Sequence, residues 1–274
     1  MTAFRSGWYH VTSPPLVLDG VVVVGSAISD NDRADMPDGV VRGYDARTGK
    51  LLWSWTPLER PADAHTWLTG AANAWSVMSA DPKRHLVFVP TGSASPDYYG
   101  GLRPGDDRWA NSVVALDART GKLASGFQLV HHDLWDYDTA AAPLRADILL
   151  DGKRKEAVIA GNKTGMLYVL DAATGKPLLP VVEGPVPQSE VPGEVTSRTQ
   201  PLTVTLPPLA PQTLSPSDAW GITDADREAS RLSSPRLPAP LCFRRPALRE
   251  LWPFPVFSAA STGVASPGTR ATRG

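Results

Sequence analysis

The chain has 274 residues with 27 basic and 28 acidic side chains, which gives a formal net charge of −1 at pH 7. This balance provides no electrostatic reason to expect nucleic acid or an anionic membrane surface as a partner. The amino terminus shows no pattern of a signal peptide, and no stretch approaches the roughly 18 apolar residues of a membrane span. The single cysteine, Cys242, excludes an intrachain disulfide.

Short apolar runs separated by turn residues dominate the chain, which contains 27 Pro and 23 Gly. Strands are predicted first at Pro15 to Val24, then at His85 to Val89 and at Ala157 to Ala160, because these runs are rich in Val, Leu or Ile. No segment shows a helical period over more than a few residues. The sequence therefore predicts an all-β protein.

A short motif, Asp-x-x-Thr-Gly-Lys, occurs three times after an apolar run, beginning at Asp45, Asp117 and Asp171. Its aspartate can accept hydrogen bonds from turn amides and its glycine can adopt a positive φ, so each copy predicts a hairpin. The turn itself carries no chemistry, but irregular repetition of antiparallel hairpins is typical of propeller blades. Trp53 follows the first copy, whereas Ser125 has this position in the second, where weaker packing is predicted.

The end of the chain has a different composition. From Arg231 onward it contains seven Arg, no Lys, no Asp and one Glu, and it is dense in Pro, Ser and Ala. Such a composition rarely buries enough surface to offset the entropy cost of ordering. We therefore expect a disordered tail or a frameshifted, non-native reading of this segment.

A series of short motifs follows in a fixed order through most of the chain, and the most specific of them is His-His-Asp-Leu-Trp-Asp-Tyr-Asp at 131–138. The others include Ser-Asp-Asn at 29–31, Ala-Asn-Ala-Trp-Ser at 72–76, Thr-Gly-Ser-Ala-Ser-Pro-Asp at 91–97 and Asn-Lys-Thr-Gly at 162–165. Over roughly residues 5 to 228 the chain resembles the membrane-bound glucose/quinate dehydrogenases that depend on pyrroloquinoline quinone (PQQ).

The resemblance implies a fold and a division of the chain. The family's fold is an eight-bladed propeller that holds PQQ and a divalent cation near its axis. The expected fold is thus a partial eight-bladed β-propeller of the quinoprotein alcohol dehydrogenase type. It would occupy residues 1–228, and the Pro/Arg-rich tail would occupy residues 229–274.

The resemblance also implies four residues around the cofactor. Asp136 would be the base that removes the substrate's hydroxyl proton, and Trp75 would stack on the planar quinone. Lys163 would lie near the quinone oxygens, and Arg42 would pair with a cofactor carboxylate. Their ordinary alternatives are a turn aspartate, a blade-core tryptophan, an exposed turn lysine and a solvated strand arginine.

Three further residues fall where the family binds its cation. Asp30 and Asn31 offer the hard oxygen ligands that suit Ca²⁺ or Mg²⁺, although their loop also reads as an ordinary surface turn. Ser95 is near a further oxygen ligand of the family, and a serine hydroxyl is a modest ligand.

The function implied by the resemblance is oxidation of a sugar or cyclic polyol, of the glucose or quinate type, with electrons passing to membrane ubiquinone. The expected location is the periplasmic side of the inner membrane. Since the resemblance covers only part of the family's propeller, we predict that the chain alone is inactive, or active only when other segments complete it. The alternatives are a non-enzymatic propeller scaffold of the cell envelope, which needs neither base nor cation loop, and a decayed remnant without function.

Overall fold

A computed structural model describes residues 7–31, 34–59, 69–213, 215–233 and 243. Within these ranges the chain forms fifteen strands, two short 3-10 turns and one helix, α1 (Asp224–Ser233). The strands are, in chain order, β1 (Tyr9–His10), β2 (Leu16–Leu18), β3 (Val21–Val24), β4 (Ala27–Ile28), β5 (Val41–Asp45), β6 (Leu51–Trp55), β7 (Ser79–Asp81), β8 (Leu86–Pro90), β9 (Ser112–Asp117), β10 (Leu123–Gln128), β11 (Leu144–Leu150), β12 (Lys153–Gly161), β13 (Leu167–Asp171), β14 (Val181–Pro185) and β15 (Thr199–Thr203).

The strands form successive antiparallel sheets, which confirms the all-β prediction. The first large sheet has the order β2-β3-β5-β6, the second β7-β8-β9-β10 and the third β11-β12-β13, while β1 pairs with β4 and β14 with β15. Neighbouring strands in the large sheets are joined in chain order, as in the blades of a propeller. These sheets do not close into a ring, so the number of blades stays a prediction.

Two of the three predicted strands are confirmed, and the third is a hairpin. His85 to Val89 corresponds to β8, and Ala157 to Ala160 lies within β12. Pro15 to Val24 is divided into β2 and β3 by Asp19 and Gly20, whose φ values are 53° and 75°. An Asp-Gly pair with two positive φ angles makes a tight two-residue hairpin turn, which explains the division.

The repeated Asp-x-x-Thr-Gly-Lys motif forms the predicted turn in all three copies. In the first, Asp45 Oδ1 accepts hydrogen bonds from the amides of Arg47 at 3.0 Å and Thr48 at 2.7 Å, and the other two copies repeat these bonds. The first two turns connect paired strands. After the third, Pro177 makes only an isolated bridge to Leu170, because proline has no amide hydrogen with which to continue a ladder.

The second sheet is buried on both faces. Along β8, Leu86 and Phe88 pack into a core shared with the third sheet, whereas Val87 and Val89 pack into a core shared with the first. Alternate side chains of a strand point to opposite faces, so one strand contributes to two cores. The three large sheets therefore stack face to face, with apolar side chains filling both interfaces.

Trp53 connects the first sheet to the turn of the second repeat. Its Nε1 donates a hydrogen bond to the carbonyl oxygen of Ala118 at 2.9 Å, and a Cβ at Gly121 would lie 2.6 Å from its ring. Ser125 takes the equivalent position against Gly175 of the third repeat, where a Cβ would lie 3.0 Å from the hydroxyl oxygen. The same contact thus links successive repeats, with a much smaller side chain at the second junction.

Helix α1 was not predicted, although its start carries a local signal. The Thr223 amide donates to Asp226 Oδ2 at 3.0 Å, and the Asp226 amide donates to Thr223 Oγ1 at 3.1 Å. This reciprocal pair is a capping box, which satisfies two amides that the helix itself leaves free. Within the described part of the chain, no helix is long and apolar enough to cross a membrane.

Most of the predicted tail, 229–274, lies outside the described residues, and its predicted disorder or non-native reading stays untested. Residues 229–233 belong to α1. Phe243 is fully buried and packs edge-on against Trp135 and Tyr137, with ring centroids 5.3 Å and 6.0 Å away.

Candidate active site

Loops from different sheets meet at the candidate site. They follow β4 (residues 29–31), β8 (residues 91–97), β10 (residues 129–138) and β12 (residues 162–165). Each contains one of the motifs on which the family resemblance depends. Side chains far apart in sequence are thereby brought into contact.

Asp133 shapes the loop that carries the predicted base. It is almost fully buried, and its carboxylate accepts hydrogen bonds from Ser93 Oγ, from Asn111 Nδ2 at 3.0 Å and from the amides of Trp135 at 3.0 Å and Tyr137 at 2.7 Å. These bonds fold the chain tightly around Asp133. Asp133 is therefore a structural carboxylate of this loop.

Asp136 lies in the same loop, and its side chain contacts Lys163 and Tyr98. Its backbone is left-handed, with φ 62°, a conformation that Asp and Asn tolerate better than most residues. Its Oδ2 accepts a hydrogen bond from Lys163 Nζ at 2.9 Å and lies 3.4 Å from the hydroxyl of Tyr98. Burial and the charge of Asp138 raise the pKa of Asp136 to about 8, despite the opposing charge of Lys163.

Lys163 joins two carboxylates of the site. Its Nζ is 2.9 Å from Asp136 Oδ2 and 2.9 Å from Asp138 Oδ2, and all three side chains are largely buried. Burial disfavours the charged lysine, but the charges of Asp138 and Asp136 outweigh this effect and raise its pKa. Lys163 is thus held protonated between the two aspartates, so the alternative of an exposed turn lysine is wrong.

Trp75 lies close to this cluster, with Gly92 between its indole and the carboxylate of Asp138. A Cβ at Gly92 would be 2.5 Å from Asp138 Oδ1 and 3.3 Å from Trp75 Nε1, so only glycine lets these groups approach each other. Asp138 Oδ1 also accepts a hydrogen bond from the amide of Ser93 at 2.7 Å. The side chain of Trp75 is half-buried.

Asp30 approaches the cluster from the first part of the chain. Its pKa is raised to about 7 by burial and by the charge of Asp138, although Lys163 and the amides of Asp30 and Asn31 oppose the rise. Asn31 follows with an exposed side chain. Among the described residues, no three His, Cys, Asp or Glu side chains converge into a ready-formed metal cage.

Two predicted residues make their described contacts elsewhere. Arg42 Nη1 donates to the Tyr9 hydroxyl at 2.9 Å and to the Val40 carbonyl at 3.4 Å. The hydroxyl of Ser95 is buried, accepts a hydrogen bond from the Gly70 amide at 3.2 Å and donates to the Ala34 carbonyl at 3.3 Å. The main chain thus uses most of the bonding capacity of Ser95.

Arg103 is a fully buried residue that connects two loops of the site. Its Nη1 forms an ion pair with Asp107, and its Nη2 donates to the carbonyl oxygens of Asp133 and, at 3.2 Å, Pro96. These bonds connect the loop after β8 to the loop that carries the predicted base, Asp136. A nearby cavity of about 370 Å³ is lined by Gly100, Gly101, Pro104, Gly105, Asp106, His132, Gly193, Val195, Thr196, Ser197 and Arg198, and it contains none of the predicted site residues.

Sequence reasoning missed Asp97, Asp138 and Tyr98 as members of the site. A signal existed for Asp138, which stands two residues after the predicted base in Asp-Tyr-Asp. Asp97 ends the Ser-Ala-Ser-Pro-Asp run, and its carboxylate is buried with no hydrogen-bond partner for either oxygen among the described residues.

Comparison with known proteins identifies the family. Residues 1–266 match the family described as "PQQ: Glucose/ethanol/alcohol dehydrogenase, beta-propeller domain". The chain belongs to this family. The quinate/shikimate dehydrogenase (quinone) of Acinetobacter baylyi is 43% identical over 234 residues, which are 82% of this chain and 29% of that protein. The quinoprotein glucose dehydrogenase of Escherichia coli is 39% identical over 235 residues, or 83% of this chain and 29% of that protein.

Among solved structures, a quinohemoprotein alcohol dehydrogenase, ADHIIG, of Pseudomonas putida superposes with a TM-score of 0.57 at 26% identity. It covers 72% of this chain and 31% of that structure. Family membership confirms the predicted resemblance. The chain spans about 29% of the length of the first two relatives.

The site residues fit PQQ, which the family name implies, and the divalent cation that the sequence resemblance predicts. A buried carboxylate without a partner, Asp97, and a second one with a raised pKa, Asp30, are suited to a hard divalent cation. The half-buried indole of Trp75 provides an aromatic surface beside the acidic cluster, as a planar quinone requires.

Proposed function

We propose that this chain forms part of a PQQ-dependent dehydrogenase that oxidises a sugar or cyclic polyol of the glucose or quinate type. One observation carries the proposal: Lys163 Nζ bridges the carboxylates of Asp136 and Asp138 at 2.9 Å each. An aspartate held in this way, beside the indole of Trp75, is positioned to exchange a proton with a bound substrate.

Asp136 is the proposed general base. Its pKa of about 8 makes its carboxylate a much stronger proton acceptor than an exposed aspartate, and a base works best when its pKa is near the working pH. In the ionised state it takes the proton of the substrate hydroxyl. Lys163 stabilises that ionised state through its direct hydrogen bond.

PQQ, when bound, supplies the two-electron acceptor, and the cation would polarise its carbonyl as a Lewis acid. Trp75 would hold the ring system by stacking, and Lys163 would place positive charge near the quinone oxygens. We further propose that Arg42 pairs with a cofactor carboxylate, for which it would have to turn from Tyr9.

Asp30, Asn31 and Ser95 are proposed as protein ligands of Ca²⁺ or Mg²⁺. Asp30 is the best supported, because a nearby cation would favour its ionised form at neutral pH. Asn31 offers an exposed amide oxygen. Ser95 is the least supported, since its hydroxyl already makes two hydrogen bonds to the main chain.

The remaining parts of the proposal come from the family. Electrons would pass to membrane ubiquinone on the periplasmic side of the inner membrane, and no nucleic acid is involved. Because the chain spans about 29% of its first relatives, we expect it to need further propeller segments for turnover.

The proposal is tested by PQQ binding to the purified chain in the presence of Ca²⁺ or Mg²⁺, followed by quenching of tryptophan fluorescence. We expect saturable, cation-dependent quenching that Asp30→Ala and Trp75→Ala both weaken. Trp220→Ala is the matched control, because Trp220 is 76% exposed and should leave the affinity unchanged.

Dye-linked oxidation of glucose and quinate is then measured with the chain alone and with the complementary segments of a relative added. Turnover that Asp136→Asn removes while PQQ binding persists would support Asp136 as the base. A folded chain that binds no PQQ under any of these conditions would refute the proposal for this polypeptide.

A further inference from the structure

Asp97 stands apart from the other carboxylates of the site because it makes no side-chain hydrogen bond within the described structure. Its side chain is 1% exposed, and neither Oδ1 nor Oδ2 has a hydrogen-bond partner among the described residues. By contrast, Asp136 and Asp138 contact Lys163, and Asp133 accepts several hydrogen bonds. Burying an ionised carboxylate without a partner is strongly unfavourable.

The fold nevertheless fixes the main chain at Asp97. Arg103 Nη2 donates to the carbonyl oxygens of Pro96 at 3.2 Å and Asp97 at 3.5 Å, while its charge is matched by Asp107. The surrounding carboxylates of Asp30, Asp136 and Asp138 all raise the pKa of Asp97 further, after the effect of burial. The backbone therefore holds the carboxylate in a region that is rich in negative charge.

Two states of Asp97 would avoid an ionised carboxylate without a partner: a protonated carboxyl group, or a carboxylate bound to a cation. A protonated Asp97 would carry a hydroxyl that needs an acceptor, and the described residues provide no polar partner for either oxygen. A divalent cation would instead bind the carboxylate oxygens directly and offset the repulsion from Asp30. Cation binding therefore gives both carboxylate oxygens a partner and balances the negative charge of Asp97.

We propose that Asp97 is an additional ligand of the divalent cation, together with Asp30. The inference rests on the proposed function for the presence of a cation and adds a ligand to Asp30, Asn31 and Ser95. Two carboxylates suffice for Ca²⁺ when amide, carbonyl and water oxygens complete the coordination.

The test is isothermal titration of CaCl₂ and of MgCl₂ into the 274-residue chain without PQQ. We expect one cation site in the wild type and a loss of affinity in Asp97→Asn and Asp97→Ala. The loss should be at least as large as the ~10- to 100-fold that outer-sphere partners of a metal typically contribute. Asp81→Asn is the matched control, because Asp81 is also buried but pairs with Arg84 and Arg145.

Thermal unfolding provides a second readout that needs no activity. Added Ca²⁺ should raise the melting temperature of the wild type and leave that of Asp97→Asn unchanged, since only a ligand that binds the native state stabilises it.

Equal cation affinity in the wild type and Asp97→Asn, or no cation binding by the folded wild type, would overturn the inference. Its failure is distinguishable from failure of the proposed function. Cation binding that depends on Asp97 without any PQQ binding would count against the dehydrogenase proposal alone. PQQ binding with a cation affinity that does not depend on Asp97 would count against the ligand alone.

Discussion

Two aspartates three residues apart in one loop have opposite environments. Asp133 is saturated with hydrogen-bond donors, whereas Asp136 meets one lysine and one tyrosine hydroxyl. The first carboxylate fixes the loop, and as a consequence the second is presented to the cluster in a left-handed conformation. A carboxylate that reacts needs such a rigid support, because a flexible one would lose its alignment.

The raised pKa of Asp136 has a consequence for stability. An aspartate in the unfolded chain has a pKa of 3.8, and in the folded chain the value is about 8. Between these two values the folded state holds the proton that the unfolded state has lost, so this group's contribution to stability is full at low pH and is lost as pH rises towards 8.

We therefore expect the wild type to lose stability relative to Asp136→Asn between pH 4 and pH 8, with a constant difference above that range. Asparagine keeps the shape of the side chain and tolerates the left-handed backbone. Urea unfolding of both proteins at several pH values, without divalent cations, measures the difference. A difference that does not change with pH would show that the carboxyl of Asp136 titrates normally.

At this scale the sequence identified some residues and missed others for a physical reason. Asp136, Lys163 and Trp75 were predicted because each belongs to a distinctive local motif. Asp97 was missed because its importance arises from the approach of Asp30, Asp136 and Asp138 from other loops. Spacing along the chain does not show which loops meet.

At the scale of elements, the junction between repeats depends on two positions in different repeats. Trp53 belongs to the strand after the first turn, and its ring lies against Gly121 in the second turn. The glycines of these turns serve two purposes. All adopt a positive φ, but only some also accommodate a neighbouring side chain.

Gly49 and Gly121 allow these purposes to be separated. Their φ values are 70° and 69°, yet a Cβ at Gly49 would meet nothing within 4 Å, whereas one at Gly121 would meet the Trp53 ring at 2.6 Å. We expect Gly49→Ala to cost about 1–2 kcal/mol, from backbone strain alone. Gly121→Ala should cost about 1–3 kcal/mol more, from overpacking.

Denaturant unfolding of the two variants checks this difference. Adding Trp53→Phe to Gly121→Ala should recover part of the extra loss, because a smaller ring leaves room for the methyl group. The same change combined with Gly49→Ala should recover nothing. Equal losses for the two glycine variants would mean that the indole does not constrain the second turn.

The elements were predicted well where a turn motif specified them and poorly where none did. The three Asp-x-x-Thr-Gly-Lys turns were confirmed because their hydrogen bonds are local. Helix α1 was missed because it is short and only three of its ten residues are apolar, although Ala225, Ala229 and Leu232 recur at helical spacing. Its capping pair, Thr223 and Asp226, was the more reliable signal.

At the scale of the whole molecule, protection from solvent varies strongly along the chain. Strands β8 and β9 are central in a sheet that has a core on each face. Strands β14 and β15 form only a two-stranded ladder, with several exposed side chains. Local opening requires less free energy where fewer apolar contacts are broken.

Hydrogen exchange followed by mass spectrometry should therefore show the slowest exchange in β8 and β9 and much faster exchange in β14 and β15. Strand β2, at the edge of the first large sheet, serves as an internal reference with intermediate protection. Equally slow exchange in β14 and β15 would show that the molecule opens only as one cooperative unit.

The family and the all-β fold followed from the sequence, since repeated turns and ordered motifs extend through most of the chain. The number of blades, eight by the resemblance, stays a prediction, because stacking is specified by contacts between neighbouring sheets and not by a count of turns. Each described junction uses its own side chain, as Trp53 and Ser125 show.

This junction restricts how the repeats can be exchanged. The indole of Trp53 belongs to one repeat, while the carbonyl of Ala118 and the bare backbone of Gly121 that receive it belong to the next. A chimera that replaces only one of these two repeats would separate a side chain from its binding position. A functional exchange should therefore transfer both repeats of a pair together, so that Trp53 and the Gly121 turn that receives it come from the same protein.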